Sequence, residues 1–237
     1  MSRLDPRLLL QGYATGIFPM ADSREADELF WVEPRNRAII PLEVFHVSRS
    51  LRRTIRSGRF TVTRDRDFAG VIAACADREE TWINAELEQT MLTLHGSGHA
   101  HSIEVWREDR LVGGVYGVKL GRAFFGESMF SRERDASKVA LAWLVARLKA
   151  GNFTLLDCQF MTDHLASLGA VSITREAYVA LLSAALGGGA ATVEGTGPTS
   201  AAPPDFGALD RLLDVTGAAG AAGPAGYVIS QLLGHTS

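Results

Sequence analysis

The segment Leu155-Leu156-Asp157-Cys158-Gln159-Phe160 limits the possible folds of this chain more sharply than any other stretch. Its apolar residues read as a buried β-strand, yet it carries a carboxylate and an amide two positions apart. Side chains alternate across a strand, so Asp157 and Gln159 are expected on one face with Leu155. Leu156, Cys158 and Phe160 are then expected on the other face, in a core. Burying an ionised carboxylate is costly unless it is paired or hydrogen-bonded. Two readings compete: a pair kept for chemistry, or an aspartate that satisfies loop N–H groups at a strand end.

The flanking pattern sets the architecture. Three strands, Ser102–Trp106, Leu111–Val118 and Ala123–Phe130, are separated by turns at Glu108-Asp109 and Gly121. A helix follows, opened by Ser131 or Asp135, with Leu141, Leu144, Val145 and Leu148 on its apolar face and Gly151 at its end. Strand, helix and the Asp157 strand in succession imply a parallel crossover. Two helices are expected within 67–98, a short one around Asp163–Leu168, a strand at Val171–Ile173 and a last helix over Thr174–Leu186. The sum is an α+β, or mixed α/β, sheet with helices on its faces.

Residues 1–35 are expected as a small N-terminal domain and 36–186 as the main one. Residues 187–204, made of Gly, Ala, Pro, Thr and Ser with hardly a side chain to bury, read as a flexible linker. The tail 205–237 holds one apolar piece, Tyr227–Leu233, able to dock back as a strand or a helix. No apolar run reaches membrane-spanning length and no secretory signal opens the chain, so no membrane partner is expected. Cys75 and Cys158, both in apolar surroundings, suit core positions in a reducing cytoplasm.

The formal net charge of −3 conceals an asymmetry. Arg49, Arg52, Arg53, Arg56, Arg59, Arg64 and Arg66 face a single acid, Asp65, so the rest of the chain is markedly acidic. With Ser48 as a cap, Arg49, Arg52, Arg53 and Arg56 share one helix face, opposite Leu51 and Ile55. A cationic stripe on an acidic protein suits a polyanion, most simply nucleic acid, against the plain alternative of a solvated face.

Other constellations carry less. Gly126-Glu127-Ser128-Met129-Phe130 fails as a nucleophile elbow, because the last position must be small and is Phe130. His99 and His101 lack a third partner at metal-ligand spacing, and no metal site is expected. The layout over 111–150 is similar to that of CoA-dependent N-acetyltransferases, which form the alternative enzyme class. Their glycine-rich pyrophosphate loop is replaced here by Ser131-Arg132-Glu133-Arg134-Asp135-Ala136-Ser137. A non-catalytic RNA-binding module would explain the arginines but not the Asp157/Gln159 pair.

Several longer motifs then align in order. They are Gly12-Tyr13-Ala14-Thr15-Gly16-Ile17-Phe18-Pro19, Thr81-Trp82-Ile83, Gly98-His99-Ala100-His101-Ser102-Ile103-Glu104-Val105-Trp106 and Gly126-Glu127-Ser128-Met129-Phe130-Ser131. Asp157-Cys158-Gln159, Asp163-His164 and Ala166-Ser167-Leu168-Gly169-Ala170 follow. From about residue 8 to 182 the chain resembles the bacterial leucyl/phenylalanyl-tRNA–protein transferase family. The resemblance implies an acyltransferase-like (GNAT-like) catalytic domain behind a small N-terminal one. It also implies transfer of Leu or Phe, with Met as a further donor, from charged tRNA to proteins beginning with Arg or Lys, which marks them for degradation. Carried over residue by residue, the catalytic strand falls on Asp157 and Gln159 and the acidic, acceptor-binding residue on Glu127. The aminoacyl pocket falls on Trp82 and Phe124, with Met20 where many members carry tryptophan. The arginines Arg49, Arg52, Arg53 and Arg56 would contact tRNA phosphates. The ester already stores the energy of the reaction, so no cofactor is implied. Asp157 is expected to orient or polarise Gln159, and Gln159 to hold the attacking amine.

Overall fold

The computed structural model describes residues 4–187, 202–217 and 222–234. The first helix, α1 (Pro6–Thr15), opens where the Asp5 side chain accepts from the Arg7 N–H and Pro6 supplies a pre-set φ. It closes at Gly16 in the left-handed region, φ 85°. β1 (Phe18–Met20) and β2 (Phe30–Val32) then form a small antiparallel hairpin.

The main sheet uses seven strands: β3 (Asn36–Ile39), β4 (Thr61–Arg64), β5 (Ala100–Arg107), β6 (Arg110–Leu120), β7 (Ala123–Ser131), β8 (Leu155–Gln159) and β9 (Val171–Thr174). Their order is β4-β5-β6-β7-β8-β3-β9. β7 and β8 pair in parallel, as the intervening helix requires, and the other pairs are antiparallel. The helices are α2 (Arg49–Arg56), α3 (Phe68–Ala76), α4 (Ala85–Gly96), α5 (Ala136–Ala150), α6 (Asp163–Ala166), α7 (Arg175–Ala185), α8 (Ala208–Val215) and α9 (Ala222–Leu232).

Strand alternation divides the core between the two faces of the sheet. Val115, Phe124 and Leu156 belong to one apolar cluster with α5 and α2; their neighbours Tyr116, Phe125 and Leu155 belong to the other, with α1, α3, α4 and α7. The N-terminal residues, expected as a domain of their own, bury Leu9, Tyr13 and Phe18 in this second cluster. α5 is buried well beyond its expected apolar face: Trp143 and Arg147 are covered too. Its outer side is roofed by the C-terminal residues, where Phe206, Leu209, Ile229 and Leu233 join the first cluster. Arg147 donates there to the Phe206 carbonyl at 2.7 Å and to Asp210 at 2.8 Å. The apolar piece at Tyr227–Leu233 thus docks, and as a helix. Most of the expected linker, residues 188–201, lies outside the described residues.

Candidate active site

The ladder between β7 and β8 stops at Phe125 opposite Asp157, although β7 runs on to Ser131. Beyond that point the parallel strands part. A cavity of about 450 Å³ opens there, walled by Val115, Met129, Leu141, Leu144, Leu156 and Leu165. Glu127, Gln159 and Trp82 also line it. Most of the wall surface is apolar, and Arg78, Ser128, Ser131, Ser137, Thr162 and His164 add polar groups around it, the mixture of a small-molecule site.

Two irregularities aim those polar groups. In β7, Tyr116 pairs with Ser128 and Gly117 with Gly126, so Glu127 is an extra, unpaired residue. In β8, Ala38 pairs with Gln159 and Ile39 with Asp157, so Cys158 is the extra residue. Such bulges re-aim side chains and recur beside active sites. Gln159 also takes a left-handed conformation, φ 62°. Its Nε2 donates to Glu127 Oε1 at 2.7 Å.

Simple alternation therefore fails at this point. Asp157 does not line the cavity. It is fully buried (0% exposed) behind Gln159 and accepts from four donors. Arg37 Nη2 lies at 2.6 Å and Nε at 2.9 Å, Tyr178 Oη at 2.8 Å and the Gln159 backbone N–H at 2.8 Å. The expected polarisation of the Gln159 amide by Asp157 is replaced by a backbone tether. Phe160, expected in a core, is 45% exposed, because the strand has ended and the ring stands at the cavity rim, edge-on to Phe18.

Arg37 and Tyr178 were not singled out by sequence. Arg37 is 1% exposed, sandwiched between the Phe18 and Tyr178 rings, and also donates to the Gly16 carbonyl at 3.1 Å. Burial works against its charge, but the hydrogen bonds and charge of Asp157 outweigh that and hold its pKa above the ordinary range. The one signal in the chain was an arginine set directly before the apolar run Ala38-Ile39-Ile40.

Burial pushes the Glu127 carboxyl up from 4.5 to about 8, and the Asp157 charge adds to the rise. Tyr13, Arg37 and Gln159 pull the other way without cancelling it. The Tyr13 hydroxyl approaches Glu127 without closing a hydrogen bond of ordinary geometry, and burial beside this carboxyl raises its own pKa well above the usual range.

The remaining expected site residues are scattered. Trp82 lines the cavity, and its carbonyl accepts from the Ala21 N–H at 3.1 Å. That bond sets Met20 beside Trp82 but outside the cavity wall. Phe124 is not a wall residue either: it is fully buried and stacks on Phe206 at 5.4 Å between ring centroids. Arg49, Arg52, Arg53 and Arg56 lie together along α2, on a separate surface. His101 pairs with Asp65 at 2.8 Å and His99 with Ser97 at 3.1 Å, both away from the cavity. Where a CoA enzyme would cradle pyrophosphate, Glu133 is held by Arg59, Arg107 and Arg110.

Comparison with known proteins agrees with this picture. Residues 39–183 match the family model "Leucyl/phenylalanyl-tRNA protein transferase", and residues 2–35 match the model of that family's N-terminal domain. A leucyl/phenylalanyl-tRNA–protein transferase of Rhizorhabdus wittichii is 58% identical over 252 aligned residues, covering 100% of both chains. Those of Zymomonas mobilis (64% identical, 77% of this chain and 70% of that one) and Novosphingobium aromaticivorans (51% identical, 100% of both) are similar as well. Among solved structures, L-PGS from Bacillus licheniformis is a distant likeness, with a TM-score of 0.39 and 13% identity over 68% of this chain and 55% of the other. The matches define an aminoacyltransferase, and the chain belongs to the leucyl/phenylalanyl-tRNA–protein transferase family. Its substrates are accordingly an aminoacyl-tRNA and a protein. Among the described residues, no helix is long and apolar enough to cross a membrane.

Proposed function

We propose that this chain transfers Leu or Phe, with Met as a further donor, from charged tRNA to proteins whose first residue is Arg or Lys, marking them for degradation. One observation carries the reading: Gln159 lines a largely apolar cavity with its amide fixed there by the Nε2 bond to Glu127. A fixed amide oxygen accepts a hydrogen bond from an incoming amine, and the apolar wall takes an unbranched or γ-branched apolar side chain.

The α-amino group of a peptide has a pKa of about 7.7–8.0, so roughly a tenth of it is unprotonated at neutral pH. Its nitrogen attacks the ester carbonyl carbon, the new C–N bond forms and the bond from that carbon to the ribose oxygen breaks. The amine proton passes to the departing ribose oxygen, by way of the neighbouring ribose hydroxyl. Glutamine is far too weak a base to take that proton, so its contribution is to hold the amine in line with the carbonyl. Asp157 acts at one remove, by tethering the Gln159 backbone. Its charge is already matched by Arg37, so it is not a second carboxylate for the acceptor's cation.

Glu127 takes that part alone. Its carboxyl is mostly protonated at neutral pH, being raised to about 8. An arriving guanidinium or ammonium favours the ionised form, and the charge-assisted pair then selects a basic first residue. Arg49, Arg52, Arg53 and Arg56 have no carboxylate partner among the described residues and supply phosphate contacts to the tRNA.

Transfer of radiolabelled leucine from Leu-tRNA to peptides differing only at the first residue tests the reading. Peptides beginning with Arg or Lys should accept and those beginning with Ala or Asp should not. Equal acceptance by all four would remove the role given to Glu127, and labelling from acetyl-CoA instead would replace the donor.

A further inference from the structure

The α2 arginines do not stand alone. They share a groove with one residue from the far end of the chain, Tyr227 on α9, which lies outside the residues that match the family models. α9 packs along α2. At Gly226 the approach is so close that a Cβ there would meet the Ile55 carbonyl oxygen at 2.1 Å. A glycine at this position lets the two helices touch backbone to backbone and brings the next side chain, Tyr227, against the arginines.

Tyr227 is 56% exposed, unusual for an aromatic ring on a docked helix. The Arg56 guanidinium lies over its ring, 5.1 Å from the centroid. A guanidinium stacked in this way keeps its N–H donors in plane, pointing outward from the stack. Arg56 Nε is buried and has no hydrogen-bond partner among the described residues. The arrangement sets a guanidinium over a ring that is more than half exposed, the pairing of cation and aromatic that nucleic-acid surfaces use. The groove is also tied to the cavity: Thr54 on α2 donates to Asp135 at the start of α5 at 3.3 Å, and Ser137, two residues on, lines the cavity.

We infer that α9 is part of the tRNA-binding surface, with Tyr227 as a stacking platform and Arg56 pre-oriented on it. This rests on the reading of α2 as the phosphate-contacting helix. The C-terminal residues therefore bind substrate as well as roofing α5.

Binding of uncharged tRNA to the full chain, followed by fluorescence anisotropy at two salt concentrations, tests it. Tyr227→Ala should weaken binding about 10-fold at both salt concentrations, because a stack and no charge is lost. Tyr227→Phe should bind like the wild type. The double variant Arg52→Glu with Arg53→Glu should weaken binding and also flatten its salt dependence. Should Tyr227→Ala stay within about twofold of wild type while the arginine variant loses binding, α9 is no part of the surface and α2 keeps its role. If neither variant moves the affinity, both readings fall.

Discussion

Arginine serves two opposite ends in this molecule. Arg37 is sealed between two aromatic rings and bonded to Asp157 and the Gly16 carbonyl. Arg49, Arg52 and Arg53 stand exposed on α2 with no carboxylate partner among the described residues. Inside, charge is cancelled locally, so its effect is geometric: it fixes Asp157, Asp157 fixes the Gln159 backbone, and the amide faces the cavity. Outside, charge is left uncancelled and acts at range, which suits capture of a polyanion but not precise placement. The first kind of site is vulnerable to loss of shape, the second to salt.

The largest expected effect breaks the inner arrangement at its working end. Gln159→Ala should lower turnover by about 100-fold or more in the leucine-transfer assay while leaving the affinity for charged tRNA unchanged. A drop in affinity with turnover intact would reverse the two roles. Next comes the supporting pair. Arg37→Leu leaves a buried carboxylate uncompensated and should cost about 3–5 kcal/mol of stability in urea unfolding. Arg37→Lys should fold better yet still lose turnover, since one ammonium cannot reproduce the forked contact with Asp157.

The outer site should respond differently. Arg52→Glu with Arg53→Glu should raise the KM for charged tRNA about 10-fold, less so in high salt, with stability within about 0.5 kcal/mol of wild type. The smallest effect concerns protons. The folded Glu127 carboxyl holds its proton up to about 8, against 4.5 for the free group. Between those values the folded state binds more protons than the unfolded one, so this carboxyl makes stability fall as pH rises through the window. Glu127→Gln should remove that part of the fall, read as a flatter dependence of the urea midpoint on pH.

Much of the sheet was legible because it is local. Period-two alternation, turn residues at Gly121 and the helix stop at Gly151 all act within a few positions, and the parallel crossover followed from them. The site was legible only in part. Asp157 and Gln159 stood out as polar residues in an apolar strand, but the bulges at Glu127 and Cys158 redirect side chains that alternation alone would place. Phe124 is placed in the pocket by the family resemblance alone; its stacking partner in the structure, Phe206, comes from the tail, which no local pattern connects to β7. Arg37 and Tyr178 escaped for the same reason. Each reads as an ordinary member of its own element, and their meaning depends on a carboxylate far along the chain.

That separation has a consequence for synthesis. Arg37 and Asp157 are 120 residues apart, and Tyr178 follows Asp157 by 21. At about 5–20 residues per second, the arginine leaves the ribosome roughly ten seconds before its counter-ion exists. The β3 strand therefore waits with an unmatched charge until nearly the whole catalytic body has emerged. A chain interrupted before residue 157 therefore carries Arg37 without the carboxylate that matches it in the finished fold.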